Sequence, residues 1–200
     1  MEDFREKINI EDYNYELPRE RIAQYPVKDR DKSRLLLYNK GIISEDTFIN
    51  IGDHLPSDSL LVFNNTRVIR ARLLFIKETG AIIEIFCLEP IDPSDYEISF
   101  GSVNPVEWKC IIGNLKKWKK GRLTSSFISG NKKYELSAEK IKPEGEAWKI
   151  RFSWNTRDLS FSEVIEAAGH IPLPPYVKRE DETEDNIRYQ TVYSKISGSV

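Results

Sequence analysis

Asn64-Asn65-Thr66 runs directly into Arg67, Arg70 and Arg72, so three guanidiniums fall within six residues just after a short apolar run. A guanidinium can hold a phosphate, a carboxylate or a base edge through two parallel hydrogen bonds. Asn and Thr side chains bond to nearby backbone and favour turns at strand ends. The competing reading is a strand-end turn followed by the polar face of the next strand. A second constellation is Gly169-His170-Ile171-Pro172-Leu173-Pro174-Pro175-Tyr176-Val177-Lys178-Arg179, whose prolines stiffen an extended segment between an imidazole and a phenol. His170 could move a proton, or it could simply favour the negative end of a preceding helix. The third is Arg188-Tyr189-Gln190-Thr191-Val192-Tyr193, which alternates as a strand would and follows a charge run read as a solvated loop. Its rings could stack on a base or fill the core. The fourth is Lys116, Lys117, Trp118, Lys119, Lys120 and Arg122, suited to a phosphate backbone with a stacked base. Lysines can equally blunt an exposed strand edge.

What is scarce narrows the chemistry. Cys87 and Cys110 stand far apart without a CxxC, and His54 and His170 are the only imidazoles. A disulfide scaffold, a thiolate zinc site and a site of several His ligands are therefore excluded, and no metal is expected. Thirty basic against 32 acidic residues give a net charge of −2. Distribution matters more than that sum: from Lys109 to Lys133 the chain is basic and carries no acid. No apolar run approaches the roughly 20 residues that span a bilayer, and the acidic start, Met1-Glu2-Asp3, has no apolar signal core. A cytoplasmic protein without a membrane partner is expected.

The elements that must position these residues are mostly strands. Ser33–Tyr38 and Ile42–Phe48 flank a turn at Asn39-Lys40-Gly41; Arg72–Ile76 and Ala81–Leu88 flank another at Glu78-Thr79-Gly80. Leu60–Phe63 reads as a buried strand, and Trp108–Ile112, Leu123–Ile128, Lys133–Leu136 and Trp148–Trp154 as further ones. Leu17–Ala23 suits a short helix with Pro18 near its first position. Ser160-Phe161-Ser162-Glu163 is a capping box opening a helix that Gly169 should end. Short strands at this spacing suggest a barrel or sandwich, placed at 72–155. The flanks, 1–71 and 156–200, are expected to fold together around it.

Read in order, Tyr15-Glu16-Leu17-Pro18, Ile22-Ala23-Gln24-Tyr25-Pro26, Arg30-Asp31-Lys32-Ser33-Arg34-Leu35-Leu36, Leu61-Val62-Phe63-Asn64-Asn65-Thr66-Arg67-Val68, Gly169–Tyr176 and Arg188–Tyr193 resemble the S-adenosylmethionine:tRNA ribosyltransferase-isomerase family (QueA) of queuosine biosynthesis. The resemblance implies an α+β, mixed fold: a discontinuous α/β domain, incomplete in this chain, with an inserted antiparallel β-barrel-like domain. It implies transfer of the ribosyl unit of S-adenosylmethionine to 7-aminomethyl-7-deazaguanine at the tRNA wobble position, then isomerisation to epoxyqueuosine. S-adenosylmethionine is then a substrate, and no cofactor is implied. His170, Arg67 and Tyr176 are the expected catalytic residues. Asn64, Asn65, Thr66, Arg72, Pro172, Lys178, Arg179, Tyr189 and Gln190 are expected to bind substrate, and the lysine loop with Trp118 to bind tRNA. Two positions depart from the family pattern: Asn65 stands where an Asp is usual, and Arg70 where a Pro is usual. Family chains continue past Val200 by more than a hundred residues. The expectation is therefore little activity from these 200 residues alone, and self-association of an uncovered half-domain. The alternative is a non-catalytic RNA-binding module derived from the family.

Overall fold

Short runs of alternating apolar and polar residues dictate strands, and strands dominate the computed structural model. It describes residues 9–199 other than Pro175, Lys178, Glu180, Asp181, Thr183 and Lys195. The chain separates into two compact units, one running to Ser59 and including Pro174–Arg179, the other Leu60–Leu173 with the segment after Arg179.

In the first unit, β1 (Arg34–Asn39) and β2 (Ile42–Thr47) form an antiparallel hairpin. Its two turn residues, Lys40 and Gly41, have φ of 49° and 90°. Two positive φ values give the turn whose twist matches the strands it joins. Pro18 precedes only a three-residue 3-10 turn, Arg19–Arg21, rather than the expected helix, because Ile22 is already extended. Near the end of β2, Asp46 accepts hydrogen bonds from Thr47 N (2.6 Å) and Asn50 Nδ2 (2.8 Å) and pairs with His54 Nε2 at 2.7 Å. These bonds, led by the one from His54, pull its carboxyl down to about 2.

The second unit holds β3 (Thr66–Val68), β4 (Arg72–Ile76), β5 (Ile82–Asp92), α1 (Tyr96–Gly101), β6 (Val106–Gly113), β7 (Leu123–Ser129), β8 (Lys132–Glu144), β9 (Ala147–Trp154), α2 (Phe161–Ala168), β10 (Gly169–His170), α3 (Asp185–Arg188) and β11 (Ile196–Ser199). Seven strands build one antiparallel sheet in the order β10-β4-β5-β6-β9-β8-β7. The sheet curls, so β4 approaches β7 although four strands lie between them in that order. The fold is thus mixed and sheet-rich, with a curled, half-barrel antiparallel sheet.

Helix α2 lies against β7 and β10. It opens at the capping box of Ser160 and Glu163 and buries Phe161, Val164 and Ile165. Phe161 meets Trp108 and Phe152 at 5.6 Å and Trp154 at 5.7 Å between ring centroids. Such pairs contribute about 0.5–1.5 kcal/mol each beyond the area they bury. The Trp108 indole N–H donates to Ser99 Oγ (2.9 Å), satisfying the one polar atom of a fully buried ring. Gly169 ends the helix as expected, but in extended rather than left-handed backbone, with φ −95°. Its requirement is space: a Cβ there would lie 2.0 Å from the Arg70 carbonyl oxygen and 2.7 Å from that of Ile165.

Two expectations about strands are corrected. Leu60–Phe63 is not a buried strand, since Leu60 and Val62 are 89% and 87% exposed. No strand among the described residues pairs with that run. The regular backbone starts at β3, which pairs in parallel with β11. Tyr189–Tyr193 is not a strand either. The α3 turn ends there, and the Gln190 side chain makes the ladder contacts that a strand backbone would have made: Val68 N donates to Gln190 Oε1 and Gln190 Nε2 donates to Val68 O, both at 2.8 Å.

Candidate functional site

Asn64 shapes the loop before β3. Its Oδ1 accepts from Thr66 N (2.8 Å), an Asx turn, while its carbonyl accepts from Thr191 Oγ1 (3.3 Å). The Asn-Thr-Arg stretch and the Tyr-Gln-Thr stretch, far apart in sequence, are therefore joined through Asn64–Thr191 and Val68–Gln190. Phe63 and Tyr193 add a ring contact at 4.5 Å. Tyr189 caps α3 and is half-buried, while Asn65 is exposed.

The antiparallel register of β10 on β4 sets His170 opposite Arg72. Side chains so paired lie on one face of the sheet, with Cβ atoms roughly 5 Å apart. The Arg72 fork is held by Glu84 on β5: Nε to Oε1 at 2.7 Å and Nη2 to Oε2 at 3.5 Å. Arg70 turns the other way. Its Nη1 donates to the Glu166 carbonyl (2.7 Å) and its Nε lies 3.4 Å from the Glu166 carboxylate. Both contacts tie the β3–β4 link to α2.

Arg67 is exposed and makes no ion pair among the described residues. It lines a cleft of about 590 Å³ with Ile69, with Glu97 and Phe100 of α1, and with Ser162, Glu163, Ile165 and Glu166 of α2. The volume lies within the range of small-molecule sites. Hydrogen bonds from Ser160 hold the Glu163 carboxyl below its usual range, so it stays ionised at neutral pH. Sequence reasoning missed these acids. Asp95, which caps α1 by accepting from Ile98 N (3.0 Å), was the available signal for that helix. The missed partner Glu84 was legible too, because the turn before Ala81 fixes Leu74 opposite Glu84 and hence Arg72 on the diagonal.

Of the remaining candidates, Pro172 is half-buried in the second unit. Tyr176 and Arg179 belong to the first unit. Tyr176 is exposed, while the Arg179 guanidinium lies 4.4 Å from the Tyr25 ring centroid and its Nε donates to the Gln24 carbonyl (3.1 Å). Lys178 lies outside the described residues.

The lysine loop between β6 and β7 presents Lys116, Lys117, Lys119, Lys120 and Arg122 to solvent. Trp118 differs from expectation: it is fully buried, its indole N–H donating to the Gly121 carbonyl (2.9 Å). In this arrangement no face of the ring is open to a base. Lys140 of β8 pins the loop from below, donating to the carbonyls of Trp118 and Lys119 with its ammonium 5.1 Å and 4.9 Å from the Trp118 and Trp148 rings. Burial pushes the Lys140 ammonium down. Lys77 Nζ caps the Lys117 carbonyl at 2.9 Å. The carbonyls of Lys117, Trp118 and Lys119 are thus satisfied by two lysines from outside the loop rather than by the loop's own exposed cations.

No cluster of potential metal ligands is found among the described residues, and no helix among them is long and apolar enough to cross a membrane.

Comparison with known proteins supplies a family. The sequence model of the family described as queuosine biosynthesis protein matches residues 10–200. Among curated relatives, the S-adenosylmethionine:tRNA ribosyltransferase-isomerase of Pelobacter propionicus is 37% identical over 193 residues, covering 96% of this chain and 51% of that protein. The proteins of the same name from Aquifex aeolicus and Trichlorobacter lovleyi are 38% and 36% identical, with 96% of this chain covered in each case and 52% and 51% of the relative. The chain spans about half the length of the curated relatives it matches. No solved structure matches it.

Proposed function

The chain belongs to the queuosine biosynthesis protein family, and from that premise we propose that the whole protein transfers the ribosyl part of S-adenosylmethionine to 7-aminomethyl-7-deazaguanine at the tRNA wobble position. The product, after isomerisation, is epoxyqueuosine-tRNA, and adenine and methionine leave. S-adenosylmethionine is consumed as a substrate, with no separate cofactor. The observation that carries the reading is the register that sets His170 opposite Arg72, uniting two motif stretches from either side of the curled sheet. Support for a discontinuous α/β domain of 1–71 and 156–200 around an insert at 72–155 comes from β3 and β11. They pair in parallel across the insert, and parallel pairing is characteristic of α/β folds.

The chemistry asks for a base, a proton donor and anchored charges. Removing a proton from the carbon beside the sulfonium needs a base, and departure of adenine needs an acid. His170 takes the first role, and the phenol of Tyr189 the second. Arg72, braced by Glu84, stands beside His170 as a fixed cation for developing negative charge. Asn64 and Thr66 shape the turn that presents Arg67, and Gln190 locks that turn to Val68. Lys116, Lys117, Lys119, Lys120 and Arg122 contact the tRNA backbone. The test is release of adenine and methionine when the full-length protein meets S-adenosylmethionine and tRNA carrying the deazaguanine. Release that is equal with tRNA bearing ordinary guanine would refute the assignment.

The exposed lysine loop also favours a second reading, an RNA-binding module without the chemistry. It predicts tRNA affinity that falls steeply with salt while S-adenosylmethionine is left intact.

A further inference from the structure

We infer that the cleft lined by Arg67, Glu97, Phe100 and Glu166 receives the amino-acid end of S-adenosylmethionine, its α-carboxylate on Arg67 and its ammonium and sulfonium charges toward the acids of α1 and α2. The inference rests on the proposed function, which supplies the ligand, and it assigns that ligand a place.

Charge selects the ligand class. The lining carries one guanidinium against Glu97, Glu163 and Glu166, so a polyanion such as an RNA backbone is repelled. Glu166 is engaged by Arg70, and Glu163 by its own cap. Glu97, exposed on the first turn of α1, has no partner among the described residues. Arg67 likewise keeps its fork unspent. The cleft therefore offers one open cation and one open anion in a single lining, which is the complement of an α-amino acid zwitterion. The second positive charge of the sulfonium fits the surplus of carboxylates. Ile69, Phe100 and Ile165 provide an apolar floor for the methylenes between the two charged centres. The geometry is fixed from below, because Phe161 N donates to the Ser102 carbonyl (2.8 Å) and joins the start of α2 to the end of α1. Glu97 and Phe100 sit three residues apart and so share a helix face.

Binding of two ligands to the full-length protein separates this placement from its rivals. Calorimetry with S-adenosylmethionine and with its decarboxylated analogue is compared for wild type, Arg67→Ala and Glu97→Gln, each side chain being exposed. Arg67→Ala should weaken S-adenosylmethionine by about tenfold or more, as loss of a hydrogen bond to a charged group does. The analogue, lacking the carboxylate, should bind wild type and Arg67→Ala alike. Glu97→Gln should weaken both ligands. If Arg67→Ala weakens both ligands equally, or both variants bind S-adenosylmethionine as wild type does while adenine is still released, the placement fails and the function stands. If wild type neither binds nor consumes S-adenosylmethionine, both fail.

Discussion

His170 and Arg72 face each other across two strands, and Glu84 keeps the Arg72 fork from folding away. On this account His170→Ala lowers turnover by about a hundredfold, the usual worth of a positioned acid–base group, with little change in S-adenosylmethionine affinity; single-turnover kinetics reads the split. Glu84→Ala should cost less than about 1 kcal/mol of stability, since the pair is partly exposed. It should nevertheless lower turnover, because Arg72 loses its brace. Glu107 tests the sheet's outer face. It is buried and paired with Lys149 and with Arg151 at 2.6 Å, and these partners, Lys149 first, hold its carboxyl below the usual range. A depressed carboxylate stabilises the fold above its ordinary pKa of about 4.3, and that contribution is lost as pH falls below it. Glu107→Gln should therefore be less stable than wild type near pH 7, by about 1–3 kcal/mol. The gap should narrow in melts toward pH 3. The arginines and His170 stood out by residue type, which by itself equally allowed a strand-end turn and a charge at a helix end. Glu84 reads as ordinary strand alternation until the register of the β4–β5 hairpin is counted, which sets it diagonal to Arg72.

Helix α2 and its exit carry more than the capping box suggests. Gly169 was legible as a helix end, yet its reason lay in tertiary packing: the β3–β4 link passes too close for any side chain. Gly169→Ala should destabilise by about 1–3 kcal/mol, the range for overpacking, and should shift β10 away from β4; a melt with a crystal structure of the variant reads both. Leu60–Phe63 misled because an apolar run says nothing about whether a neighbour exists to cover it. The lysine loop misled in the opposite sense. Trp118 looked like a free ring among cations, but Lys140, two positions beyond Ala138 on the inward face of β8, reaches beneath it. Phase along the strand was the signal. Lys140→Ala should raise amide exchange across 116–122 relative to the rest of the sheet, since it removes the donor that satisfies two loop carbonyls.

At the level of the molecule, the order of hairpins, the curled sheet and the capped helix α2 followed from alternation and turn residues, which act locally. The parallel β3–β11 pair did not, because nothing local announces which distant segment will lie beside a three-residue strand. That pair and the Val68–Gln190 bonds bring the Asn-Thr-Arg and Tyr-Gln-Thr stretches together, while β10 on β4 adds His170. The account thus makes chemistry on tRNA the work of segments separated by the whole sheet. Its most direct test is nucleoside mass spectrometry of tRNA carrying the deazaguanine after incubation with S-adenosylmethionine and the full-length protein. The account predicts conversion of the wobble base to epoxyqueuosine, lost in His170→Ala. An unchanged base with wild-type protein that binds both substrates would contradict it.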